Sequence, residues 1–559
     1  MFVRPSKLSE SEKSLILHRL WEKDASLWSG DEEVQKAISN RLGWLDLPEA
    51  MAKSIDEIRS FSEEVKEEFE AVCLLGMGGS SLFALTLSKI FGPQPGYPYF
   101  FVLDTTDPEE VAKLEDDFDL KKVLFLVASK SGTTIEVVSL FKYFWGRLEG
   151  LMDQPGGNFA AITDPGTPLA KTAEERKFRR LFLAPPDVGG RFSALSYFGL
   201  VPAGLMGLDL ERLLKAAQEM ATVCGPEVPW EYNPAAKLAE YIGENFILER
   251  DKLTILADPL IRPYGLWIEQ LVAESTGKTG IGVVPIVGEA PGSPTVYGPD
   301  RFFVNLGLEG RRDIYGRLLS ELKQNEFPLV NHWWEDRYEI GAECFRWEMA
   351  TALVGYFMDI NPFDEPDVIR AKRKTAEILK LFKETGDFGV EFGLDDRTGH
   401  AFITSRILGD TPSLKLAIRK FFLSLSPWSY VAFLAYLPYD AELEEFFTDL
   451  RTMVRTRRQC STMFGFGPRY LHSSGQLHKG GPKTGSFFIF TRRGRKEEQM
   501  VPGEGYTLWD LQFAQAYGDF QALSDLERQV IHIHLGEDYR KELEDFAAFL
   551  KETIELAEF

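Results

Sequence analysis

Two turns in the chain gather hydroxyl and cationic side chains at spacings that suit an anion. In "LFLVASKSGTTIEVVSLF" an apolar run from Leu124 to Ala128 breaks into Ser129, Lys130, Ser131, Gly132, Thr133 and Thr134. Apolar residues then resume at helical spacing from Ile135 to Phe144. The hydroxyls can donate, Lys130 supplies a point charge, and Gly132 lets the backbone approach a ligand closely. Free N–H groups at the start of the following helix favour negative charge, so a phosphate is the natural ligand. The companion turn lies in "LLGMGGSSL", where Gly76, Gly78 and Gly79 permit a tight bend and Ser80 and Ser81 can donate. It fails as a dinucleotide fingerprint because serine stands at the third glycine of the pattern and no acidic residue follows the next strand. One hydroxyl turn alone reads equally well as an ordinary capped helix start. Two at strand ends in one domain favour a phosphate pocket.

The elements that must position these turns alternate. "AVCLLGMGGSSLFALTLSKIF", "YFFVLDTTDPEEVAKLEDDF", "KKVLFLVASKSGTTIEVVSLF", "NFAAITDPGTPLAKTAEE" and "FRRLFLAPPDVGGRFSALSYFGL" each pair an apolar run with turn residues and a helical pattern, which predicts a parallel sheet with crossover helices. A linker from Pro226 to Pro234 separates this series from a second one, containing "DKLTILADPLIRPYGLWIEQLVAEST", "GIGVVPIVG" and "DRFFVNLGLEG". The expected organisation is an α/β protein with an N-terminal helical segment at 1–60, a first domain at 61–225, a second at 235–372 and a C-terminal α/β domain at 373–559. Within the last, "CSTMFGFGPRYLHSSGQLHKGGPKTG" reads as a glycine-rich, basic loop over 460–485. Arg469, His472, His478, Lys479 and Lys483 there suit contact with a ligand.

Composition narrows the partners. The 559 residues exceed what one core sustains, and the net charge of −22 argues against nucleic acid or an anionic membrane as the main partner. Cys73, Cys224, Cys344 and Cys460 are far apart and form no CxxC, which fits a reducing cytoplasm. The N-terminal stretch reads as a charged amphipathic helix and not as a signal peptide, and no apolar run approaches a membrane span.

Taken in order, "GMGGSSL", "SKSGTTIE" and "DVGGRFSALSYFGL" resemble the sugar-isomerase (SIS) motifs of the glucose-6-phosphate isomerase family. "QLVAESTGK" resembles the segment carrying that family's catalytic glutamate, and "INPFDEPDVIRAK" the segment ending in its active-site lysine. The likeness spans about residues 60 to 375. "HSSGQLHKGGPKTG" looks most like the isomerase portion of transaldolase and glucose-6-phosphate isomerase fusions, although no part of the sequence reads as a transaldolase portion. The resemblance implies two SIS domains and conversion of glucose 6-phosphate to fructose 6-phosphate without a cofactor. Gly79, Ser80, Ser129, Lys130, Ser131 and Thr134 would hold the phosphate, with Arg191 beside the sugar's reacting end. It also implies a place in glycolysis and gluconeogenesis in the cytoplasm. A homodimer and a functional link to transaldolase belong to the same expectation.

Moving a proton between carbons 1 and 2 through an enediol requires one base that reaches both, and neither a metal nor a cofactor. Glu274 fits, with Gln270 one helical turn before it. Lys372 would assist the ring oxygen or orient the substrate. Two departures stand out. Glu365 occupies the place of the family's glutamine, where a carboxylate can accept from a sugar hydroxyl but cannot stabilise an enediolate. The family's ring-opening histidine is also missing from "GEAPGSPTVYGPDRFF". Imidazole exchanges protons near neutral pH, so His472 or His478 is the expected replacement, with His400 third; Lys479 is a further candidate contact. Competing readings are an isomerase that also accepts mannose 6-phosphate and a sensor that binds sugar phosphates without catalysis.

Overall fold

The computed structural model describes residues 2–395, 399–426, 428–494 and 499–556. Three sheets form its frame. The first comprises β1 (Ala71–Gly76), β2 (Tyr99–Leu103), β3 (Val123–Ala128), β4 (Phe159–Thr163) and β5 (Arg180–Leu183), all parallel in the order β2-β1-β3-β4-β5. The second comprises β6 (Lys252–Ala257), β7 (Val284–Ile286), β8 (Arg301–Leu308) and β9 (Leu329–Trp334), also parallel, in the order β7-β6-β8-β9. The third comprises β10 (Gly393–Leu394), β11 (Ala401–Thr404), β12 (Tyr430–Ala435), β13 (Ser461–Phe466), β14 (Gly485–Arg492) and β15 (Gln529–Leu535). In it β12 to β15 run parallel, and β10 and β11 add an antiparallel edge. The expected α/β architecture of parallel sheets flanked by helices is present.

Strands β1 and β3 are apolar and buried along their whole length because both faces of their sheet are covered. Side-chain alternation divides the faces. Val72, Leu74, Leu124 and Leu126 enter a core that also holds the N-terminal helices and the second sheet. Cys73, Leu75, Phe125 and Val127 enter another, shared with Tyr430, Phe487 and Leu511 of the C-terminal region. That region therefore packs on the first sheet as a third layer, while a separate cluster around Phe433, Phe488 and Phe546 fills its far side.

The order of the first sheet reverses between β1 and β3, where Gly76 pairs with Ala128. Such a switch point opens a crevice at the carboxyl ends of the strands. Both hydroxyl turns leave from it.

The stretch at 460–485 departs from the expected loop. It folds as β13, a 3-10 turn at Arg469–His472 and a short helix at Gly475–Gly480. Its glycines disguise a strand: a Cβ on Gly465 would lie 2.7 Å from the Cβ of Tyr470, so glycine is what lets the chain fold back on itself there. Its basic side chains are largely buried against carboxylates from elsewhere in the chain. Arg469 donates to both oxygens of Asp104 at 2.6 and 2.7 Å, and Lys479 meets Asp519 at 2.5 Å.

Candidate active site

A cleft of about 240 Å³ opens where the first sheet meets the C-terminal region. Ser131, Thr133, Thr134 and Glu136 form one wall, Lys372 and Thr375 a second, and His472, Lys479 and Gln515 a third. The first wall is the turn after β3 and the start of the helix Ile135–Glu149. Ser129 closes this turn from within, accepting from the Gly132 N–H at 3.1 Å and sharing a hydrogen bond with Thr134 at 3.0 Å. Ser131 and Thr134 are thereby held at the cleft. No side-chain cap involves Thr134, so its hydroxyl is not committed to the helix start.

His472 arrives from the C-terminal region. Its Nε2 lies 2.7 Å from Glu136 Oε1, and Gln515 donates to that same oxygen at 2.7 Å. Burial would raise the Glu136 carboxyl, but the His472 ring and its hydrogen bond outweigh it and hold the group down at about 2. The backbone carbonyl of His472 accepts from Gln270 Nε2 at 2.8 Å. A Cβ on Gly78, which has φ +55°, would lie 2.9 Å from that carbonyl oxygen, so glycine is required where the turn after β1 passes His472.

Gln270 Nε2 also reaches Glu274 Oε2 at 3.3 Å and so links the cleft to a charged cluster beside it. Glu274 lies two residues before the end of the helix Tyr264–Thr276, its side chain 13% exposed. Burial raises its pKa, opposed by the Arg191 charge 3.7 Å away and reinforced by Glu365. Arg191, 4% exposed, is fully engaged. Nε donates to Ser275 Oγ at 2.7 Å, Nη2 to the carbonyls of Pro362 and Asp364 at 2.7 and 2.9 Å, and Nη1 to Glu365 at 3.0 Å. It therefore ties the 362–365 segment to the glutamate helix and faces Glu274 with the same group that holds Glu365. Lys278 completes the tie, donating to Asn361 and Asp364, and burial lowers its pKa to about 8.

The short helix at Gly475–Gly480 braces this end. Gln476 donates to the Gly277 carbonyl at 2.9 Å and to Asp367 at 2.8 Å, just before the helix Val368–Thr385 that carries Lys372. Among the described residues Lys372 forms no ion pair, and its exposed side chain lines the cleft.

Several sequence-predicted residues lie elsewhere or are otherwise committed. His478 is in the core of the C-terminal region, hydrogen-bonded to Tyr430 Oη through Nδ1 at 3.1 Å, and burial drives its pKa well down; it does not line the cleft. The reason is helical geometry, since Leu477 and His478 face the sheet while His472 precedes the helix. His400 is buried at the end of β11's approach and is likewise absent from the cleft wall. Lys130 turns from the cleft to Asp164 at the end of β4, 2.5 Å away. Gly79 is a packing residue, because a Cβ there would lie 2.0 Å from the Gly190 carbonyl oxygen where the "GGRFS" turn crosses it. Ser80 is buried beside it and is not among the lining residues. Lys479 does reach the cleft, but as the partner of Asp519. Sequence reading missed Glu136, Gln515 and Lys278. Glu136 lay inside a quoted motif, and only its distant partner distinguishes it from any acidic residue in a helix's first turn. A larger depression of about 840 Å³ around Trp145 and Arg176 gathers none of the predicted residues.

The paired parallel sheets carry hydroxyl turns at the switch point of the first and a largely enclosed glutamate beside the second, an α/β fold of parallel sheets flanked by helices. Residues 45–292 match the family model described as phosphoglucose isomerase. The glucose-6-phosphate isomerase of Carboxydothermus hydrogenoformans is 29% identical over 406 residues, covering 62% of this chain and 86% of that protein. A probable glucose-6-phosphate isomerase of Methanococcus maripaludis is 28% identical over 385 residues with the same coverage. Among solved structures, a hypothetical protein from Thermus thermophilus is 25% identical with a TM-score of 0.56, covering 66% of this chain and 95% of that one. A glucose-6-phosphate isomerase from Chlamydia trachomatis shares the fold at 18% identity and a TM-score of 0.51, covering 65% of this chain and 78% of that one. The family match ends before both Lys372 and His472. Among the described residues no helix is long and apolar enough to cross a membrane.

Proposed function

We propose that this chain is an aldose-ketose isomerase that interconverts glucose 6-phosphate and fructose 6-phosphate through a cis-enediol. The observation that carries the reading is Glu274, a buried carboxylate whose pKa is raised by burial yet faces the Arg191 guanidinium, linked through Gln270 to a cleft with a hydroxyl turn. The names of the curated relatives support the same substrate pair.

In this reading Ser131 and Thr134, with the N–H groups of the following helix, hold the phosphate at the unreactive end of the sugar. Lys372 orients the substrate from the opposite wall. His472 opens the ring: Glu136 takes the hydrogen bond of Nε2, so Nδ1 is the nitrogen left to give a proton to the ring oxygen, while the anomeric hydroxyl passes its proton to solvent water, from which Nδ1 is reprotonated. Glu274 then removes the proton from one carbon and returns it to the other. A base with a raised pKa suits this, since it must both take and return the proton. Arg191 supplies the positive charge beside the developing enediolate and opposes the burial that raises Glu274. The segment that delivers His472 comes from this same chain. A place in glycolysis and gluconeogenesis follows from the reaction.

The test is a coupled assay that detects glucose 6-phosphate formed from fructose 6-phosphate by the full chain. Turnover is expected; its absence would overturn the reading.

A further inference from the structure

A second cavity, of about 340 Å³, lies back to back with the cleft where the two sugar-isomerase domains and the C-terminal region meet. That volume is in the range of small-molecule sites. The two cavities share one wall: Leu471 and His472 line the cleft, Tyr470 and Ser473 the second cavity. The glutamate helix faces both sides in the same way. Gln270 holds the His472 carbonyl at 2.8 Å, and Glu269, its neighbour, lies 3.5 Å from Ser473 Oγ.

Two buried ionisable groups of opposite type line this cavity without being joined to each other. Arg451, 4% exposed, gives Nη2 to the carbonyls of Val287 and Thr462 at 2.8 Å each, while its Nε finds no acceptor. It forms no ion pair within 4 Å among the described residues, although Glu289 and Glu269 lie near enough to act on it through space. Glu269, 6% exposed, likewise has no cationic partner within 4 Å among the described residues, and Ser473 is its one hydrogen-bond contact there. Burial pushes it up to about 7. Charges kept for structure alone are paired, as Arg469 is with Asp104 in the same wall. At the rim stands the exposed Arg262, whose nearest hydrogen-bond partner is Tyr315 Oη at 3.4 Å.

We infer that this cavity is a second ligand site, for a small hydroxylated anion of the phosphorylated or carboxylated polyol class. The acid group would enter between Arg262 and Arg451, and a hydroxyl would meet Glu269. Because Tyr470 and Ser473 flank Leu471 and His472, an occupant presses on the segment that carries His472 and reaches the cleft without entering it.

The test reads binding and not turnover, so it stands apart from the isomerase proposal. The full chain is titrated calorimetrically with glycerol 3-phosphate and, separately, with glycerate, and the titrations are repeated on Arg262→Ala, Glu269→Gln and the cleft variant Lys372→Ala. The expected result is binding of either probe at a site whose Kd is raised about tenfold by Arg262→Ala and by Glu269→Gln and is unchanged by Lys372→Ala; the tighter probe names the acid. Arg262 is exposed, so its replacement leaves the fold in place. No binding of either probe at about 10 mM, or an affinity that follows Lys372→Ala instead of the cavity variants, overturns the inference.

Discussion

The turn after β3 and the segment from Arg469 to Lys479 face each other across one cleft, yet they are built on different principles. The turn is local. A strand end and a helix start fix Ser129 to Thr134 within a few residues, by hydrogen bonds inside the turn and to the end of the neighbouring strand β4. The facing segment is held by partners far away in sequence: Glu136 is 336 residues from His472 and Asp104 is 365 from Arg469. The local turn fixes the placement of its hydroxyls, Ser129, Ser131 and Thr134, while its Lys130 is turned away by Asp164 of the next strand's end. In the long-range segment, neighbours of the same type take opposite roles, His472 at the cleft and His478 in the core.

This contrast can be broken at several points. Glu274→Gln removes the proposed base, and kcat in the coupled assay is expected to fall about 10³-fold. Isothermal binding of fructose 6-phosphate would be retained. Ser131→Ala combined with Thr134→Val strips the local turn of the hydroxyls at the cleft. That pair is expected to raise KM about tenfold with little change in kcat, which initial rates over a substrate series would show.

Glu136→Gln tests the long-range partner through pH. The folded pKa of Glu136 lies at about 2, below its unfolded value, so its contribution to stability is complete above the ordinary carboxylate range. It is lost as pH falls through that range toward 2. Thermal melts should therefore show a lower Tm for the variant near neutrality and convergence with the wild type in acid. The smallest effect belongs to His478→Phe. It exchanges one ring for another in a core beside Tyr430 and Phe487, and the coupled-assay rate is expected to stay within about twofold.

How much could be read from the sequence follows the same division. The five strands of the first sheet and both hydroxyl turns were legible, because apolar runs and turn chemistry are local signals. That Gln270 and Glu274 stand together on one helix was legible from their one-turn spacing. The roles of Lys130 and Gly79 were not, since each depends on what crosses it: Asp164 at the end of β4 in one case and the Gly190 backbone in the other. The strand β13 was hidden by glycines whose purpose is contact with Tyr470. Basic residues at 469–483 suggested a solvated ligand loop because their neutralising carboxylates, Asp104, Glu136 and Asp519, lie far off in the sequence.

The central claim is that the C-terminal segment delivers the ring-opening group while the glutamate helix delivers the base. Ring opening interconverts the two anomers of glucose 6-phosphate without moving a proton between carbons, so anomer exchange followed by NMR separates the two steps. The account predicts that Glu274→Gln still accelerates anomer exchange and that His472→Asn does not. Anomer exchange at the wild-type rate in His472→Asn would contradict it.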